Sequence, residues 1–167
     1  MEEMAKAFRA MYGLNYIALR YFNVYGPRMD IDGVYTEVLI KWLDKIDKNE
    51  PPIIHGNGKQ ALDFVYINDI VRANIMALES DINEGVYNVG TGKSTSLKEL
   101  LNILLKLTGS NLKPIYQISV KRPYVQKRIA GTTKARKDLG FVANFSVKDG
   151  LKELIEWRKK QLRRRKA

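Results

Sequence analysis

The 167-residue sequence predicts an α/β fold, with helices and strands alternating along a single chain. Apolar residues recur at helical spacing in several segments, short β-rich runs lie between them, and there is no repeat or low-complexity linker. A chain of this length is expected to form one domain with a well-buried core. It opens with a helix that enters a β-rich strand, without a preceding strand–glycine-rich turn–helix unit, so the pattern resembles the second half of a larger domain.

A helix is predicted for the first dozen residues, because their apolar side chains share one face and Gly13 is a C-cap signal. Residues 16–24 are β-rich and predict a mostly buried strand, which the pair Gly26-Pro27 ends. Three further elements are predicted before residue 68: an amphipathic helix at residues 34–46, a short strand in "PPIIHGNG" and a strand at residues 62–67.

The stretch "VYNVGTGKSTS" at residues 86–96 resembles a phosphate-binding loop but lacks its spacing. The pattern G-x-x-x-x-G-K-[ST] requires a glycine five residues before Gly92, where this sequence has Tyr87. We therefore expect a strand, a turn and then a helix that begins at Ser96, whose hydroxyl forms a capping box with Glu99.

The remaining elements follow the same alternation. They are a helix capped by Asn68 or Asp69 and running to about residue 78, a strand at residues 85–90, a helix at residues 96–107, a strand in "KPIYQI", a helix at residues 133–139 and a helix from residue 147 into the basic tail.

Composition narrows the possible functions. The chain has no cysteine and a single histidine, which argues against disulfides, thiolate chemistry, histidine-rich metal sites and a Ser-His-Asp triad. It contains no apolar run long enough to span a membrane and begins with an acidic stretch, so a cytoplasmic protein is expected. Seven of the nine residues 158–166 are basic and account for much of the net charge of +11. A solvated helix end is the expected explanation, and nucleic acid is not expected as the main partner.

The segment "LRYFNVYGPR" at residues 19–28 resembles the extended short-chain dehydrogenase/reductase family of nucleotide-sugar epimerases and dehydratases. The resemblance continues through "IIHGNGKQALDFVYINDIVRANIMAL", "YNVGTGKSTSLKEL", "TTKARKDLGF" and "GLKELIEW", and is nearest to the UDP-glucose 4-epimerase-like branch. It implies the C-terminal part of a Rossmann-type parallel sheet plus a small α/β substrate-binding lobe. Residues 1–33 and 62–92 would be the remnant of the NAD-binding domain, and residues 34–61 and 93–167 the lobe.

The resemblance also implies NAD as cofactor, a UDP-linked nucleotide sugar as substrate, and a reaction by transient oxidation of the sugar. Epimerisation, dehydration and decarboxylation stay open, as does a basic non-catalytic module for polyanions. The family's glycine-rich turn and Tyr-x-x-x-Lys pair are expected upstream of Met1, so the chain alone should be inactive. A homo-oligomer is expected, and the isolated chain should self-associate or rearrange its first helix.

Site residues carry over from the resemblance position by position. Phe22 would lie beside the nicotinamide, and Asn23 would meet the substrate's phosphates unless it only bonds its own turn. The other expected substrate contacts are Thr36 and Glu37 at the sugar and phosphates, Ile53, Ile54 and His55 at the uracil, and Arg122 at the diphosphate. For His55 alone, a surface histidine at a turn is the simpler interpretation.

Two arginines usually hold the diphosphate in this family, because one guanidinium can donate two parallel hydrogen bonds to phosphate oxygens. The first family position is occupied here by Leu62, with Lys59 as a possible substitute. The second belongs to an Arg-Pro-Gly-Asp loop, of which only Arg122-Pro123 remains, so Arg122 is the candidate and Arg128 the reserve. Gly131 stands where the family usually has aspartate, which should affect only a helix start.

Overall fold

A computed structural model describes residues 1–30, 38–117 and 125–166, with side chains to residue 164. Helices and strands alternate in these residues, as the sequence predicts. In chain order the elements are α1 (Glu2–Tyr12), β1 (Tyr16–Tyr21), β2 (Asn23–Tyr25), α2 (Val38–Asp47), β3 (Ile53–His55), β4 (Ala61–Leu62), β5 (Phe64–Tyr66), α3 (Ile67–Leu78), β6 (Glu84–Val89), β7 (Thr95–Ser96), α4 (Leu97–Thr108), β8 (Ile115–Gln117), β9 (Lys127–Arg128), α5 (Thr133–Leu139) and α6 (Val147–Lys166).

The predicted strand at residues 16–24 is in fact two strands with different partners. β1 pairs in parallel with β6, whereas β2 pairs in parallel with β5. The exchange occurs at Phe22, whose N–H still donates to the Val89 carbonyl at 3.0 Å, while the N–H of Asn23 donates to the Asp63 carbonyl at 3.1 Å. The prediction of a mostly buried strand was wrong for β1. None of its residues is buried, and within the described ranges no strand pairs with its other edge.

The predicted strand at residues 62–67 is also divided, at Asp63. β4 joins a small sheet in the order β7-β4-β9, antiparallel to β7 and parallel to β9, while β5 pairs with β2. The short strand predicted in "PPIIHGNG" is β3, which pairs in parallel with β8. The two-residue strands β7 and β9 were not predicted, because so short a segment carries no alternating pattern.

Local capping signals placed some helix ends correctly and one wrongly. α1 ends at Gly13, whose φ is 68°, and α4 begins with the predicted reciprocal capping box between Ser96 and Glu99. The prediction that Asn68 or Asp69 caps α3 was wrong, since this helix already begins at Ile67 without a side-chain cap. The fully buried Asp69 instead accepts hydrogen bonds from backbone N–H groups of the loop before α6.

In the described ranges, two clusters of buried side chains form the core. The larger packs α2, α4 and α6 against residues of β2, β3 and β5, and the smaller packs α3 and α5 against β5 and β6. α1 contributes no buried residue to either cluster. The helices in the described part of the chain include none that is long and apolar enough to cross a membrane.

Candidate functional site

The exchange of strand partners at Phe22 creates a fork at the carboxyl ends of parallel strands. In open α/β sheets, ligands bind in the crevice beyond the carboxyl ends of the strands, where neighbouring strands diverge. Phe22 is half-buried and occupies the fork itself, between the last bond of β1 to β6 and the first bond of β2 to β5. Asn23 follows it as the first residue of β2.

The Asn23 side chain is held on both sides. Its Nδ2 donates to the Asp63 carbonyl at 2.8 Å, and its Oδ1 accepts from Arg128 Nη2 at 2.7 Å. The half-buried amide therefore connects the sheet to an exposed guanidinium on β9. The alternative that Asn23 merely bonds its own turn does not describe these contacts, because Asp63 and Arg128 are 40 and 105 residues away in sequence.

Arg128 lies beside Leu62 in the small sheet. The parallel register of β4 and β9 pairs Leu62 with Arg128, and the N–H of Asp63 donates to the Arg128 carbonyl at 3.0 Å. Residues paired in this way project to the same face of a sheet. The reserve arginine thus stands next to the position where the family resemblance expects one.

Asp63 is the structural centre of this region and was not recognised in the sequence. Its fully buried carboxylate accepts from the N–H groups of Thr91, Gly92 and Ala130 at 2.9 to 3.2 Å, and from the Thr91 hydroxyl at 2.6 Å. The glycine turn that resembles a phosphate-binding loop is therefore occupied by a protein carboxylate. An acidic residue inside an otherwise β-rich run was the available signal for such a buried anchor.

The predicted uracil contacts lie on β3. Ile54 is buried, Ile53 is half-buried and His55 is exposed. Side chains fix the outer edge of this strand, since Trp42 Nε1 donates to the Ile53 carbonyl at 2.7 Å and Gln60 Nε2 to the His55 carbonyl at 2.8 Å. A carbonyl oxygen accepts two hydrogen bonds, so both can also accept one from a base.

A cavity of about 340 Å³ adjoins this strand between α2 and β3. Its lining includes Ile53 and His55 of β3 and Trp42 of α2. Three lysines also line it: Lys41 and Lys45 on α2, and Lys48 directly after this helix. Asp44 also lines the cavity, and Lys45 forms an ion pair with Glu50, so the lining has both charges around its apolar residues. Its apolar surface suits an aromatic base. The other predicted site residues Thr36, Glu37 and Arg122 lie outside the described residues.

The pKa values of the two buried tyrosines at the ends of β2 and β5, Tyr25 and Tyr66, are shifted upward. Burial raises the pKa of Tyr25, and burial together with a hydrogen bond to Glu153 raises the pKa of Tyr66. A catalytic tyrosine needs the opposite shift to act as a base near neutral pH. The described residues also contain no group of three side chains suited to bind a metal ion.

The basic end of α6 is less uniformly solvated than its sequence predicts. Arg158, the first residue of the basic run, is 7% exposed and forms ion pairs with Asp44 and Asp47 of α2. Its positive charge therefore belongs to the packing of two helices. This pairing removes one residue from the proposed polyanion-binding surface.

Comparison with known proteins gives a consistent result. Residues 1–90 match the family described as NAD dependent epimerase/dehydratase family. A candidate UDP-glucose 4-epimerase from Methanocaldococcus jannaschii is 40% identical over 95% of this chain and 50% of its own length. A UDP-N-acetyl-alpha-D-glucosaminuronate decarboxylase from Bacillus cytotoxicus is 31% identical over 94% of this chain and 50% of its own.

The crystal structure of a Thermotoga maritima UDP-glucose 4-epimerase with UDP-glucose superposes with a TM-score of 0.89 at 37% identity, over 96% of this chain and 51% of that one. The predicted Rossmann-type α/β fold class is confirmed by this similarity. The chain spans about half the length of the relatives it matches. On the family match over more than half of its residues, this chain belongs to the NAD-dependent epimerase/dehydratase family.

Proposed function

We propose that this chain is the substrate-binding portion of an NAD-dependent nucleotide-sugar epimerase that acts on a UDP-linked sugar. The observation that carries the proposal is the Asn23 amide, fixed between the Asp63 carbonyl and the Arg128 guanidinium at the carboxyl end of β1 and the start of β2. A polar group bonded to a cation beyond the carboxyl ends of parallel strands supports a ligand site there, because sheets of this class bind ligands at such an edge. The β3 strand and its cavity would receive the base.

The described residues do not by themselves fit NAD. A pyrophosphate requires open backbone N–H groups at a glycine turn leading into a helix, and the Thr91 and Gly92 N–H groups are occupied by the Asp63 carboxylate. The whole protein would invert a sugar carbon by transient oxidation with NAD, with Phe22 as the contact that this chain offers to the nicotinamide. The cofactor's remaining contacts and the acid–base pair would lie outside this chain, in a cytoplasmic enzyme.

The alternative within the family is a nucleotide-sugar decarboxylase or dehydratase. One of the relatives at 31% identity is a UDP-sugar acid decarboxylase, which favours keeping this reaction as second candidate. Both reactions begin with the same oxidation of a bound nucleotide sugar, so the binding role proposed for this chain is common to them.

We also propose that the whole protein is a homo-oligomer. α1 exposes the apolar side chains of Met4, Phe8, Met11 and Tyr12, each at least 46% exposed. Contiguous apolar surface of this kind on a helix supports association with another protein surface. The exposed face of α1 is the expected contact region.

Calorimetric titration of the chain with UDP-glucose and with ADP-glucose tests the proposed substrate class. We expect UDP-glucose to bind at least tenfold more tightly, because the edge of β3 should distinguish uracil from adenine. Binding of neither compound, or equal binding of both, would overturn the proposal. A fusion of the uncovered half of the Methanocaldococcus jannaschii relative to this chain then allows epimerase and decarboxylase activities to be compared.

A further inference from the structure

We infer that Arg128 is the residue that binds the substrate's diphosphate, in place of an arginine at position 62. This inference rests on the proposed function, because it assigns a role within the same site. The family resemblance offers Lys59 as the substitute at position 62, and gives Arg128 only as a reserve for the second arginine, after Arg122. The geometry of the small β7-β4-β9 sheet supports Arg128 for the first position, beside Leu62.

The Arg128 guanidinium is positioned but not neutralised. It is exposed, and the residues that the structure describes include no carboxylate that forms an ion pair with it. One of its five N–H groups donates to Asn23 Oδ1, which is a neutral acceptor. An arginine with only a structural role usually ends on a carboxylate or on several carbonyls. Among the residues that the structure describes, Arg128 therefore has four further N–H groups that can donate to an anion.

Asn23 determines the direction of this charge. Because Nδ2 is bonded to the Asp63 carbonyl, Oδ1 must face Arg128, and the amide cannot turn over without breaking both hydrogen bonds. Asp63 is itself fixed by its buried carboxylate. A rigid chain of hydrogen bonds therefore leads from the core to the guanidinium, and this lowers the entropy lost when a ligand binds.

The strand register explains how Arg128 can occupy the place of another residue. Leu62 and Arg128 are direct partners in parallel strands, so their side chains leave the same face about 4.8 Å apart. A long arginine side chain spans that distance easily. Leu62 meanwhile packs against the larger core cluster, which suits its apolar side chain.

The test compares R128Q with K127Q, which removes the same charge from the adjacent exposed residue of β9. Affinities of wild type and both variants are measured by calorimetry for UDP, uridine and inorganic diphosphate at one low ionic strength. For R128Q we expect at least a tenfold loss of affinity for UDP and diphosphate, with uridine unchanged within twofold. For K127Q we expect all three affinities to stay within twofold. The UDP affinity of R128K should lie between those of wild type and R128Q, because lysine keeps the charge but loses the paired donors.

The outcomes separate this inference from the proposed function. Equal weakening of UDP by R128Q and K127Q would indicate a general charge effect, and equal weakening of UDP and uridine by R128Q would indicate a structural role; either result overturns the inference. If wild type binds inorganic diphosphate through Arg128 but binds UDP no more tightly than diphosphate, the inference stands and the nucleotide-sugar function fails. If it binds neither, both are wrong.

A rescue experiment tests the exchange of positions directly. The double variant L62R/R128Q should recover most of the UDP affinity that R128Q loses, since it returns a guanidinium to the neighbouring strand on the same face. Thermal melting shows whether the variant is folded, and L62K/R128Q replaces it if the longer head group disrupts the core. A folded double variant with no recovery overturns the exchange.

Discussion

Replacement of Asp63 by asparagine should destabilise the protein strongly although the two side chains have almost the same shape. The carboxylate is fully buried and accepts four hydrogen bonds, from the N–H and hydroxyl of Thr91 on Oδ1 and from the N–H groups of Gly92 and Ala130 on Oδ2. The asparagine amide replaces one carboxylate oxygen by an NH2 group, which cannot accept the hydrogen bonds that this oxygen accepts. In either orientation at least one backbone N–H that donates to the buried carboxylate loses its acceptor.

The magnitude follows from the hydrogen bonds that the substitution breaks. A buried donor without a partner costs about 1–3 kcal/mol, and hydrogen bonds to a charged acceptor are stronger than those to a neutral one. We therefore expect D63N to lower the free energy of unfolding by about 3 kcal/mol, a large share of the roughly 5–15 kcal/mol typical of a domain.

Urea unfolding followed by circular dichroism measures this loss, with D81N as control because Asp81 is exposed. The control should change stability by less than about 0.5 kcal/mol. The denaturant dependence of the free energy should be the same in all three proteins if the effect lies in the folded state. A D63N protein within about 1 kcal/mol of wild type would refute the reasoning from buried acceptors.

Three further predictions concern packing, capping and association. In chemical denaturation, G150A should lower the free energy of unfolding by about 1–3 kcal/mol although alanine has the better helix propensity, because the new Cβ would clash with the Tyr25 hydroxyl. This loss should be smaller in a Y25F background. A G150A protein more stable than wild type would contradict the prediction. The hydrogen bond from the Ser96 N–H lowers the pKa of Glu99. The stability that the Glu99 carboxylate contributes is therefore fully present above the ordinary carboxyl pKa and is lost as pH falls through the lowered pKa. The stability difference between wild type and E99Q should therefore be larger at pH 7 than at pH 3, and a pH-independent difference would exclude this explanation. F8S should reduce the self-association measured by light scattering, because it removes an exposed apolar side chain from α1. A wild-type protein that is monomeric at every concentration would refute the proposed association through α1.

Local signals in the sequence placed several helix ends correctly, although the cap predicted for α3 was wrong. Gly13 ends α1 and Ser96 with Glu99 begins α4, since each contact spans only a few positions. Partners far apart in sequence left no such trace. The β-rich pattern of residues 16–24 cannot reveal that pairing changes at Phe22, because the change depends on where β5 and β6 lie.

The candidate site shows the same division. Asn23 was identified from its motif, but its partners come from β9 and from the residue between β4 and β5, and no pattern within the motif names them. Arg128 was ranked second because Arg122-Pro123 retains part of the family's loop motif, and the pairing of β9 with β4 that places Arg128 beside Leu62 is a property of the folded chain. The same limit applies to Asp69, whose capping chemistry was recognised but assigned to the wrong backbone N–H groups.

The attachment of α1 has a consequence for how the chain opens. Exposed ion pairs, Arg9 with Glu84 and Glu2 with Arg20, hold this helix, and exposed pairs of this kind stabilise a protein only weakly in water. Opening α1 therefore requires far less free energy than exposing the leucines of α4, so its amide hydrogens should exchange with deuterium first. Dissolved salt screens such pairs, and raising it from about 0.05 to about 0.5 M should speed this exchange and proteolytic cleavage near Gly13 while leaving the α4 amides protected.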